Sequence, residues 1–323
     1  MARKRVLVTG GAGFIGRWLV KRYLDEGYEA AVLDDLSNGS RKNLAGLSDH
    51  KGFRGLIVGD IRDPAKVREA MEPTPDIVIH AAAQINVQSS LDEPQKNFDI
   101  NILGTHTILE EARLRFQAAK GRSHGPKIVM IGTCMVYEMA SGKAICETHP
   151  VRPASPYAAS KLAGEYLAES YYHGFGLPVI VLRPFNTYGP FQKSNMEGGV
   201  VSIFVKRDLE GQDLNIFGKG TQTRDLLYVE DCVDFIFKAS ENDKVLGQTF
   251  NAGTGKDISV NELAKRIASD PKRIKHVPHI HPQSEIPKLQ CDPAKAMKVL
   301  RWKPKVTLDE GIKRLRTWFK EGN

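Results

Sequence analysis

Residues 9–16 read Thr9-Gly10-Gly11-Ala12-Gly13-Phe14-Ile15-Gly16, and this stretch decides the fold. It follows a short β-branched run, from position 5, that predicts a buried strand. It leads into apolar residues at helical spacing that end at Gly27. Glycines let a backbone turn tightly and approach an anion, while the following helix offers free N–H groups and its positive dipole end. This context predicts a phosphate-binding turn of the dinucleotide type; an ordinary strand–helix turn is the alternative.

The alternation of strand and helix continues outward from that turn. Short apolar runs predict strands at 30–33, 56–58, 76–79, 127–131 and 179–182. The pattern predicts helices beginning at Pro64, across 94–119 and across 155–172. Apolar strands that alternate with helices belong to a parallel sheet covered on both faces. The sequence therefore predicts an α/β fold with a doubly wound (Rossmann) parallel sheet, which binds ligands beyond the carboxyl ends of its strands.

The pattern changes after Arg183. Prolines and glycines interrupt the next stretch, and the later segments are short and mixed. We predict a large domain over residues 1–183 and a smaller C-terminal α/β lobe over 184–323, with part of 223–251 returning to the large domain.

The composition is that of an ordinary globular chain of 323 residues, of which 41% are hydrophobic and 26% charged. The net charge of +8 favours anionic partners. Many cationic residues fall late in the chain: Lys272, Arg273, Lys275, Lys288, Lys295, Lys298, Arg301, Lys303 and Lys305. A solvated basic surface is the favoured interpretation, because neither a zinc-finger spacing nor an RNA-binding aromatic motif supports a nucleic-acid partner.

The four cysteines, Cys134, Cys146, Cys232 and Cys291, include no C-x-x-C pair. In a chain of this length, such usage favours reduced thiols and a cytoplasmic location. Glycines interrupt the apolar run after the basic start, which is unlike a secretory signal peptide. No stretch reaches the roughly 18 apolar residues of a membrane helix. We therefore expect a soluble cytoplasmic protein with no membrane partner.

Acidic residues follow two of the predicted strands. Asp34 lies about 20 positions beyond the glycines, where a carboxylate binds a ribose hydroxyl and repels a 2′-phosphate, so it favours NAD over NADP. A turn or capping aspartate is the alternative for Asp34, while Asp35 continues into the loop. Asp60 follows the third strand, where it either holds an adenine amino group or caps the next turn.

Tyr157 and Lys161 are four residues apart on a predicted helix and therefore share one face. A lysine ammonium beside a phenol favours the phenolate and lowers the pKa of the tyrosine from about 10. Ser155 as N-cap and Pro156 at the first helical position place Tyr157 in the first turn, where the helix dipole also favours negative charge. This pair predicts a base that removes a proton from a hydroxyl group.

Other candidates close to this pair in the sequence leave alternatives open. Thr133 closes the fifth strand, where its hydroxyl either bridges a substrate oxygen and the phenol or satisfies local backbone. Cys134 is a candidate nucleophile, but the sequence supplies no His–Asp relay for it. A late group of possible metal ligands matches no zinc spacing, so we expect no metal; it comprises His276, His279, His281 and Cys291.

Together, these residues resemble the extended short-chain dehydrogenase/reductase family, and especially its UDP-galactose (UDP-glucose) 4-epimerase branch, over nearly the whole chain. The resemblance rests on an ordered set: Thr9 to Gly16, Leu33-Asp34-Asp35-Leu36, Gly59-Asp60-Ile61, His80-Ala81-Ala82-Ala83, Asn101-Ile102-Leu103-Gly104-Thr105, Thr133, Tyr157-x-x-x-Lys161, Arg183-Pro184-Phe185-Asn186 and Arg224-Asp225. As a set, these stretches are highly specific for the family.

The resemblance implies NAD as cofactor. It places the cofactor against Gly10, Gly13, Phe14, Ile15, Gly16, Asp34, Asp60, Ile61, Ala81, Ala82, Ala83, Asn101, Tyr157 and Lys161. In that set, the glycines would carry the pyrophosphate, Asp34 the adenosine ribose, Asp60 and Ile61 the adenine, and Lys161 the nicotinamide ribose. It places the substrate against Thr133, Asn186 and Arg224, the last two at the diphosphate.

The implied reaction is 4-epimerisation of a nucleotide sugar, with a UDP-sugar favoured, through a transient 4-keto sugar that rotates before it is reduced from its other face. Tyr157 would be the base and Thr133 its hydrogen-bonding partner. Related dehydratases have Asp-Glu directly after the equivalent of Thr133, and related decarboxylases have a glutamate at the second of these two positions. Cys134 and Met135 stand there in this chain, which favours epimerisation.

The family also implies that the large domain binds NAD, that the lobe binds the nucleotide sugar, and that helices 94–119 and 155–172 form a homodimer interface. Two features depart from the branch. The small-lobe arginine is missing from Pro282-Gln283-Ser284-Glu285, where His279 or His281 is a candidate to compensate, and Glu138 replaces a glycine. A 4-keto-sugar-nucleotide reductase is the alternative enzyme. A non-catalytic NAD sensor would have little use for the Thr133, Tyr157 and Lys161 set.

Overall fold

The computed structural model describes residues 3–119, 125–140, 142–195, 198–279, 282 and 285–322. The chain forms two compact units. The first unit contains Met1–Thr133, Ser155–Arg183 and Val233–Phe250, and the second unit contains Cys134–Ala154, Pro184–Cys232 and Asn251–Asn323.

The strands and helices alternate through the first half of the chain. The strands are β1 (Arg5–Thr9), β2 (Glu29–Asp34), β3 (Phe53–Val58), β4 (Ile77–His80), β5 (Lys127–Ile131), β6 (Val179–Pro184), β7 (Asn186–Tyr188), β8 (Leu214–Phe217), β9 (Thr223–Tyr228), β10 (Thr249–Ala252), β11 (Asp257–Ser259), β12 (Ile274–Val277) and β13 (Lys288–Leu289). The α-helices are α1 (Phe14–Asp25), α2 (Pro64–Ala70), α3 (Val87–Asp92), α4 (Pro94–Phe98), α5 (Gly104–Ala118), α6 (Pro156–Phe175), α7 (Val200–Leu209), α8 (Val229–Ser240), α9 (Val260–Ile267), α10 (Ala294–Val299) and α11 (Leu308–Lys320).

A seven-stranded sheet with the order β3-β2-β1-β4-β5-β6-β10 carries the first unit. Strands β1 to β6 pair in parallel, and β4 and β6 are buried along their whole length, as their unbroken apolar runs predict. The strand order reverses between β1 and β4, so ligands are expected beyond the carboxyl ends of these two strands. The α/β fold with a doubly wound (Rossmann) parallel sheet is confirmed.

Local sequence explains where the helix of the reacting residues begins and ends. Ser155 is the N-cap of α6, and its Oγ accepts a hydrogen bond of 3.2 Å from the backbone N of Ala158. Pro156 occupies the first turn, where its missing N–H costs nothing. Gly176 ends the helix with a left-handed φ of 69°. These signals fix the register of α6, so Tyr157 lies in its first turn.

The segment 94–119, predicted as one long helix, is divided by a π-helical turn at Asp99–Leu103 between α4 and α5. A π turn adds one residue to the backbone spacing and is common at functional sites. Asn101 is buried in this turn.

Two segments belong to a different unit from the residues that precede them in the sequence. Residues 233–250 belong to the first unit and lead into β10 at the sheet edge. Residues 134–154 group with the second unit instead. There, Tyr137 donates to Oδ1 of Asn251 at 2.7 Å, and Ile145 N donates to the carbonyl of Gln290 at 2.8 Å. These long-range partners explain why this segment does not group with the residues around it.

The second unit contains short sheets and helices. Strand β9 lies between β11 and β13 and also pairs with β7, while β8 pairs with β12. Helices α7, α9 and α11 pack in the same unit. Across the described part of both units, no helix has the length and apolar character needed to cross a membrane.

Candidate active site

The glycine turn lies at the carboxyl end of β1 in the first unit. Gly10 has a φ of 71°, and a Cβ at this position would come within 2.8 Å of the backbone N of Ala82. A Cβ at Gly16 would collide with the carbonyl of Gly10. Gly13 is the N-cap of α1, and no side chain caps the first turn of that helix, which includes Ile15. The turn therefore leaves a cradle that side chains would fill, and it presents free N–H groups to an anion.

Asp34 ends β2 and is buried against the glycine turn. Its carboxylate accepts hydrogen bonds from Ala12 N at 2.9 Å and Leu36 N at 2.8 Å. Burial raises the pKa of Asp34, and these two hydrogen bonds oppose that effect. Each carboxylate oxygen keeps acceptor capacity for a hydroxyl group. Asp35 instead caps its own loop, with Oδ1 accepting from Ser37 N at 2.9 Å.

The residues after β3 take two different environments. Asp60 forms an ion pair with Arg62, which donates from Nη2 at 2.6 Å, and this hydrogen bond is the main reason that the pKa of Asp60 is lowered. Ile61 is buried in the main apolar core. No sequence pattern singled out Arg62, which donates hydrogen bonds to both oxygens of the carboxylate expected to hold the adenine.

A series of hydrogen bonds between buried polar side chains connects the end of β1 to helix α6. Thr9 Oγ1 lies 2.8 Å from His80 Nδ1, and His80 Nε2 lies 3.0 Å from Thr105 Oγ1. Thr105 donates to the carbonyl of Asn101 at 2.6 Å. Asn101 Nδ2 donates to Ser160 Oγ at 2.9 Å. These hydrogen bonds therefore connect five elements of the first unit: β1, β4, the π turn, α5 and α6.

This series of hydrogen bonds ends at Tyr157, the residue expected to act as the base. Ser160 Oγ donates to the carbonyl of Tyr157 at 2.9 Å. Asn101 also holds the loop after β4, because Gln84 N donates to its Oδ1 at 2.8 Å and its Nδ2 donates to the Gln84 carbonyl at 2.9 Å. In the same region, Ala82 N donates to Thr9 Oγ1 at 3.2 Å. The network thus fixes the loop that contains Ala81 to Ala83 as well as the start of α6.

The three candidate reacting residues are buried in the first unit, with exposed fractions of 7% for Thr133, 9% for Tyr157 and 4% for Lys161. Thr133 follows β5, next to β4 in the sheet. Burial lowers the pKa of Lys161 to about 8, and the charge of Glu165 partly opposes this effect. Burial, with a smaller contribution from Lys161, lowers the pKa of His80 to about 3, so this imidazole is neutral near pH 7.

Two of the three expected substrate residues, Asn186 and Arg224, lie in the second unit, while Thr133 lies in the first. Asn186 begins β7, and its Oδ1 is buried without a hydrogen-bond partner among the described residues. Arg224 on β9 donates at 2.8 Å to the carbonyl of Ile286 and forms an ion pair with Glu285. Glu285 also lies 2.6 Å from His279 Nε2. The positive charge of Arg224 is therefore already compensated within this unit.

Four other residues named from the sequence either lie outside the described residues or have partners of their own. His281, Gln283 and Ser284 lie outside the described residues. Asp225, which follows Arg224, is buried, and its Oδ1 accepts hydrogen bonds of 2.7 Å from both the N and the Oγ1 of Thr254.

The chain matches the family model described as GDP-mannose 4,6 dehydratase over residues 7–315. It belongs to the GDP-mannose 4,6-dehydratase family. The UDP-glucose 4-epimerase of Mycolicibacterium smegmatis is 37% identical over 98% of this chain and 98% of that protein. These findings confirm the resemblance to the extended short-chain dehydrogenase/reductase family and its epimerase branch.

Solved structures of family members superpose over nearly the whole chain. The protein named Pal from Bacillus thuringiensis has a TM-score of 0.93 and 46% identity, covering 99% of this chain and 100% of its own. The UDP-glucose 4-epimerase of Thermus thermophilus, solved as a complex with NAD, has a TM-score of 0.87 and 34% identity, with coverages of 99% and 100%.

In this family member, the sequence singled out candidate reacting residues but not the side chains that the structure places near them. The first unit contains the glycine turn, Asp34, Asn101, Thr133, Tyr157 and Lys161, and the glycine turn, Asp34 and Thr133 lie at or just beyond the carboxyl ends of β1, β2 and β5. The partners Ser160, Glu165 and Arg62 were missed. The spacing of Ser160 and Glu165 from Tyr157 and Lys161 on α6 was the available signal, but it does not reveal which side chains meet across the sheet.

Proposed function

We propose that this chain is an NAD-dependent nucleotide-sugar 4-epimerase of the UDP-glucose/UDP-galactose type that acts through a transient 4-keto sugar. One observation carries the proposal: Thr133, Tyr157 and Lys161 are buried in the unit whose sheet also holds the open glycine turn. The first unit is the NAD-binding domain, and the second unit binds the nucleotide sugar.

The residues of the first unit fit NAD. The glycine cradle and the uncapped first turn of α1 suit a pyrophosphate, and the carboxylate of Asp34 suits a ribose diol. Asp60, Ile61, Asn101 and the loop Ala81 to Ala83 complete the proposed cofactor set. The bound cofactor supplies reversible oxidation at C4 of the sugar.

Proton transfer is the task of the chain's own side chains. Tyr157 Oη takes the proton from the 4-hydroxyl, and the ammonium of Lys161 stabilises the resulting phenolate. Thr133 Oγ1 hydrogen-bonds the same sugar oxygen and orients it. When the keto sugar is reduced, Tyr157 returns the proton to O4. The burial of all three side chains keeps bulk water from competing for that proton.

The residues after Thr133 favour epimerisation over dehydration. Cys134 and Met135 form a 3₁₀ turn with Val136, and neither side chain is the carboxylic acid that elimination of a C6 hydroxyl needs. Because the family description names a 4,6-dehydratase, a dehydratase is the second candidate, and the products distinguish the two.

Substrate contacts, assembly and location belong to the proposal too. Asn186 supports a substrate contact through its buried oxygen, which has no partner among the described residues, and Arg224 is the proposed phosphate ligand.

Four exposed apolar side chains along 94–119 and 155–175 support a homodimer: Leu103, Leu114, Tyr166 and Phe175. All four cysteines lie in the described ranges as unbridged thiols, which supports a cytoplasmic location.

The deciding experiment uses purified protein without added cofactor. It is incubated with UDP-glucose, UDP-galactose and their N-acetylated forms, and the products are separated by chromatography and identified by NMR. Interconversion of C4 epimers is expected, with NAD released on denaturation. A 4-keto-6-deoxy product would favour a dehydratase. No turnover of these sugars, together with NADH- or NADPH-dependent reduction of a 4-keto sugar nucleotide, would favour a reductase.

A further inference from the structure

The imidazole of His80 connects the two residues that hold the loop after β4. Thr9 holds the start of this loop, because its Oγ1 accepts a hydrogen bond of 3.2 Å from Ala82 N. Asn101 holds the loop further along, through its paired hydrogen bonds with the backbone of Gln84 at 2.8 and 2.9 Å. One ring nitrogen of His80 bonds Thr9 directly, and the other reaches Asn101 through a single hydroxyl group.

The direction of these hydrogen bonds is set at that hydroxyl group, which belongs to Thr105. Its Oγ1 lies 2.6 Å from the carbonyl oxygen of Asn101, and a carbonyl can only accept, so Thr105 donates its one hydroxyl proton there. The same hydroxyl oxygen lies 3.0 Å from His80 Nε2 and has no second proton to donate. His80 Nε2 therefore carries a hydrogen atom and donates it to Thr105.

The hydrogen bonds on the other side of the ring agree with this direction. His80 is buried, and burial lowers its pKa to about 3, so the neutral ring carries a hydrogen atom on only one nitrogen. With that hydrogen atom on Nε2, Nδ1 is an acceptor. Thr9 Oγ1 lies 2.8 Å from Nδ1 and still has its own proton to donate, because its bond from Ala82 N uses only a lone pair. One arrangement of protons thus gives every polar atom of this series a partner.

The loop that His80 helps to hold lies against the glycine turn. A Cβ at Gly10 would come within 2.8 Å of Ala82 N and 2.9 Å of Ala82 Cα. Ala81 N donates to the carbonyl of Thr9, directly before this glycine, at 3.2 Å. Because these backbone atoms lie so close together, the position of the loop determines one wall of the glycine turn.

We propose that His80, as its Nε2–H tautomer, is a positioning residue that holds the loop of Ala81 and Ala82 against the glycine turn. Each ring nitrogen acts on one of the two points at which the loop is held, Thr9 on one side and Asn101 on the other. The inference rests on the proposed function for its catalytic meaning, since that function places NAD against this loop.

The tautomer is measured first, by NMR of the purified full chain labelled with ¹⁵N-histidine. The ring of His80 is identified by signals that do not change between about pH 5 and 8 and that shift in Thr105→Ser. A one-bond N–H coupling is expected on Nε2, with Nδ1 unprotonated. An Nδ1–H tautomer, or a doubly protonated ring near neutral pH, would overturn the proposal.

Amide hydrogen exchange then measures how firmly the loop is held. Thr105→Val removes the hydroxyl group that accepts from Nε2 and keeps a similar side-chain shape. Exchange in a peptide spanning residues 81–86 is expected to become about 3- to 10-fold faster, as for the loss of one hydrogen bond. Thr105→Ser should restore the wild-type rate. Thr107→Val is the matched control, because Thr107 Oγ1 also donates to a carbonyl four residues earlier, that of Leu103 at 3.0 Å.

Unchanged exchange in Thr105→Val, or an equal acceleration in Thr107→Val, would contradict the positioning role. Bound NAD should also leave Thr105→Val faster than Thr107→Val during dialysis, and equal loss would mean that the loop is held for the fold alone. If Thr105→Val does not fold, the tautomer of the wild-type chain still decides. The tautomer and the exchange need no sugar, so a chain that shows both yet fails to epimerise sugars would disprove only the proposed function.

Discussion

The two units differ in how their candidate functional groups are held. In the first unit, Asn101 and Ser160 connect the loop after β4 to the backbone of Tyr157 through hydrogen bonds of 2.8 to 2.9 Å. In the second unit, Arg224 is paired with Glu285, and Asn186 keeps a buried oxygen without a partner among the described residues.

This difference between the units corresponds to two requirements of such an enzyme, proton transfer and ligand selection. Proton transfer needs groups fixed within a few tenths of an ångström, which helices and strands with satisfied side-chain networks provide. Ligand selection needs unsatisfied or exchangeable groups that gain partners when the ligand binds. Under the proposed function, the first unit is the one arranged for reaction and the second is the one arranged for selection. Substitutions in the first unit can test whether its groups must be fixed, and substitutions in the second unit can test whether its groups exchange partners when a ligand binds.

Tyr157→Phe is expected to have the largest effect, because it removes the proton acceptor and leaves the fixed surroundings intact. The rate of UDP-galactose conversion should fall roughly 10²- to 10⁴-fold, while bound NAD stays at the wild-type level. Tyr166→Phe is the matched control on the same helix, since it removes only a hydroxyl group and keeps the ring of this proposed dimer-interface residue. Full activity in Tyr157→Phe would show that another group is the base.

Gly16→Ala tests whether the first unit tolerates any change at its cofactor cradle. The added Cβ would collide with the carbonyl of Gly10, so we expect loss of co-purified NAD and a stability loss of about 1–3 kcal/mol. Thermal unfolding and the NAD content after denaturation measure both effects. Gly174→Ala in α6 is the control, because a Cβ there meets nothing within 4 Å and should stabilise the helix slightly. Normal NAD content in Gly16→Ala would contradict the proposed cofactor site.

Asn101→Ala tests the network that connects the loop after β4 to Tyr157. It removes hydrogen bonds to Gln84 and Ser160, so unfolding should become easier by about 1–3 kcal/mol. The turnover number should fall by up to about 10²-fold if the position of Tyr157 depends on these bonds. Thr107→Ala, at an exposed hydroxyl on α5, should change stability by less than about 0.5 kcal/mol. Lower stability with an unchanged turnover number would mean that the network is structural only.

The parts that could be predicted from sequence are those fixed by local chemistry. The bounds of β1 and β5, the start of α1 and the cap of α6 follow from glycine, proline, serine and apolar spacing within a few residues. The candidate reacting residues were identified for the same reason, because Tyr157 and Lys161 are neighbours on one helix.

The remaining features depend on partners far apart in the chain. Glu165 and Arg183 are 18 residues apart, and Arg224 and Glu285 are 61 apart, so only the folded chain shows that they meet. The π turn at Asp99–Leu103 was missed because helical spacing of apolar residues does not register one inserted residue. Asn101 was identified by resemblance, but its hydrogen bonds to Gln84 and Ser160 were not.

Glu285→Gln gives the smallest expected effect and tests the second unit directly. If Glu285 competes with a phosphate for Arg224, removing its charge should tighten UDP binding by about two- to fivefold, as measured by calorimetry. Glu230→Gln is the matched control, because Glu230 also pairs with an arginine of this unit, Arg314, at 3.0 Å. Weaker UDP binding in Glu285→Gln would mean that the carboxylate positions the guanidinium. The second unit would then be as fixed in advance as the first, and the distinction between reaction and selection would fail.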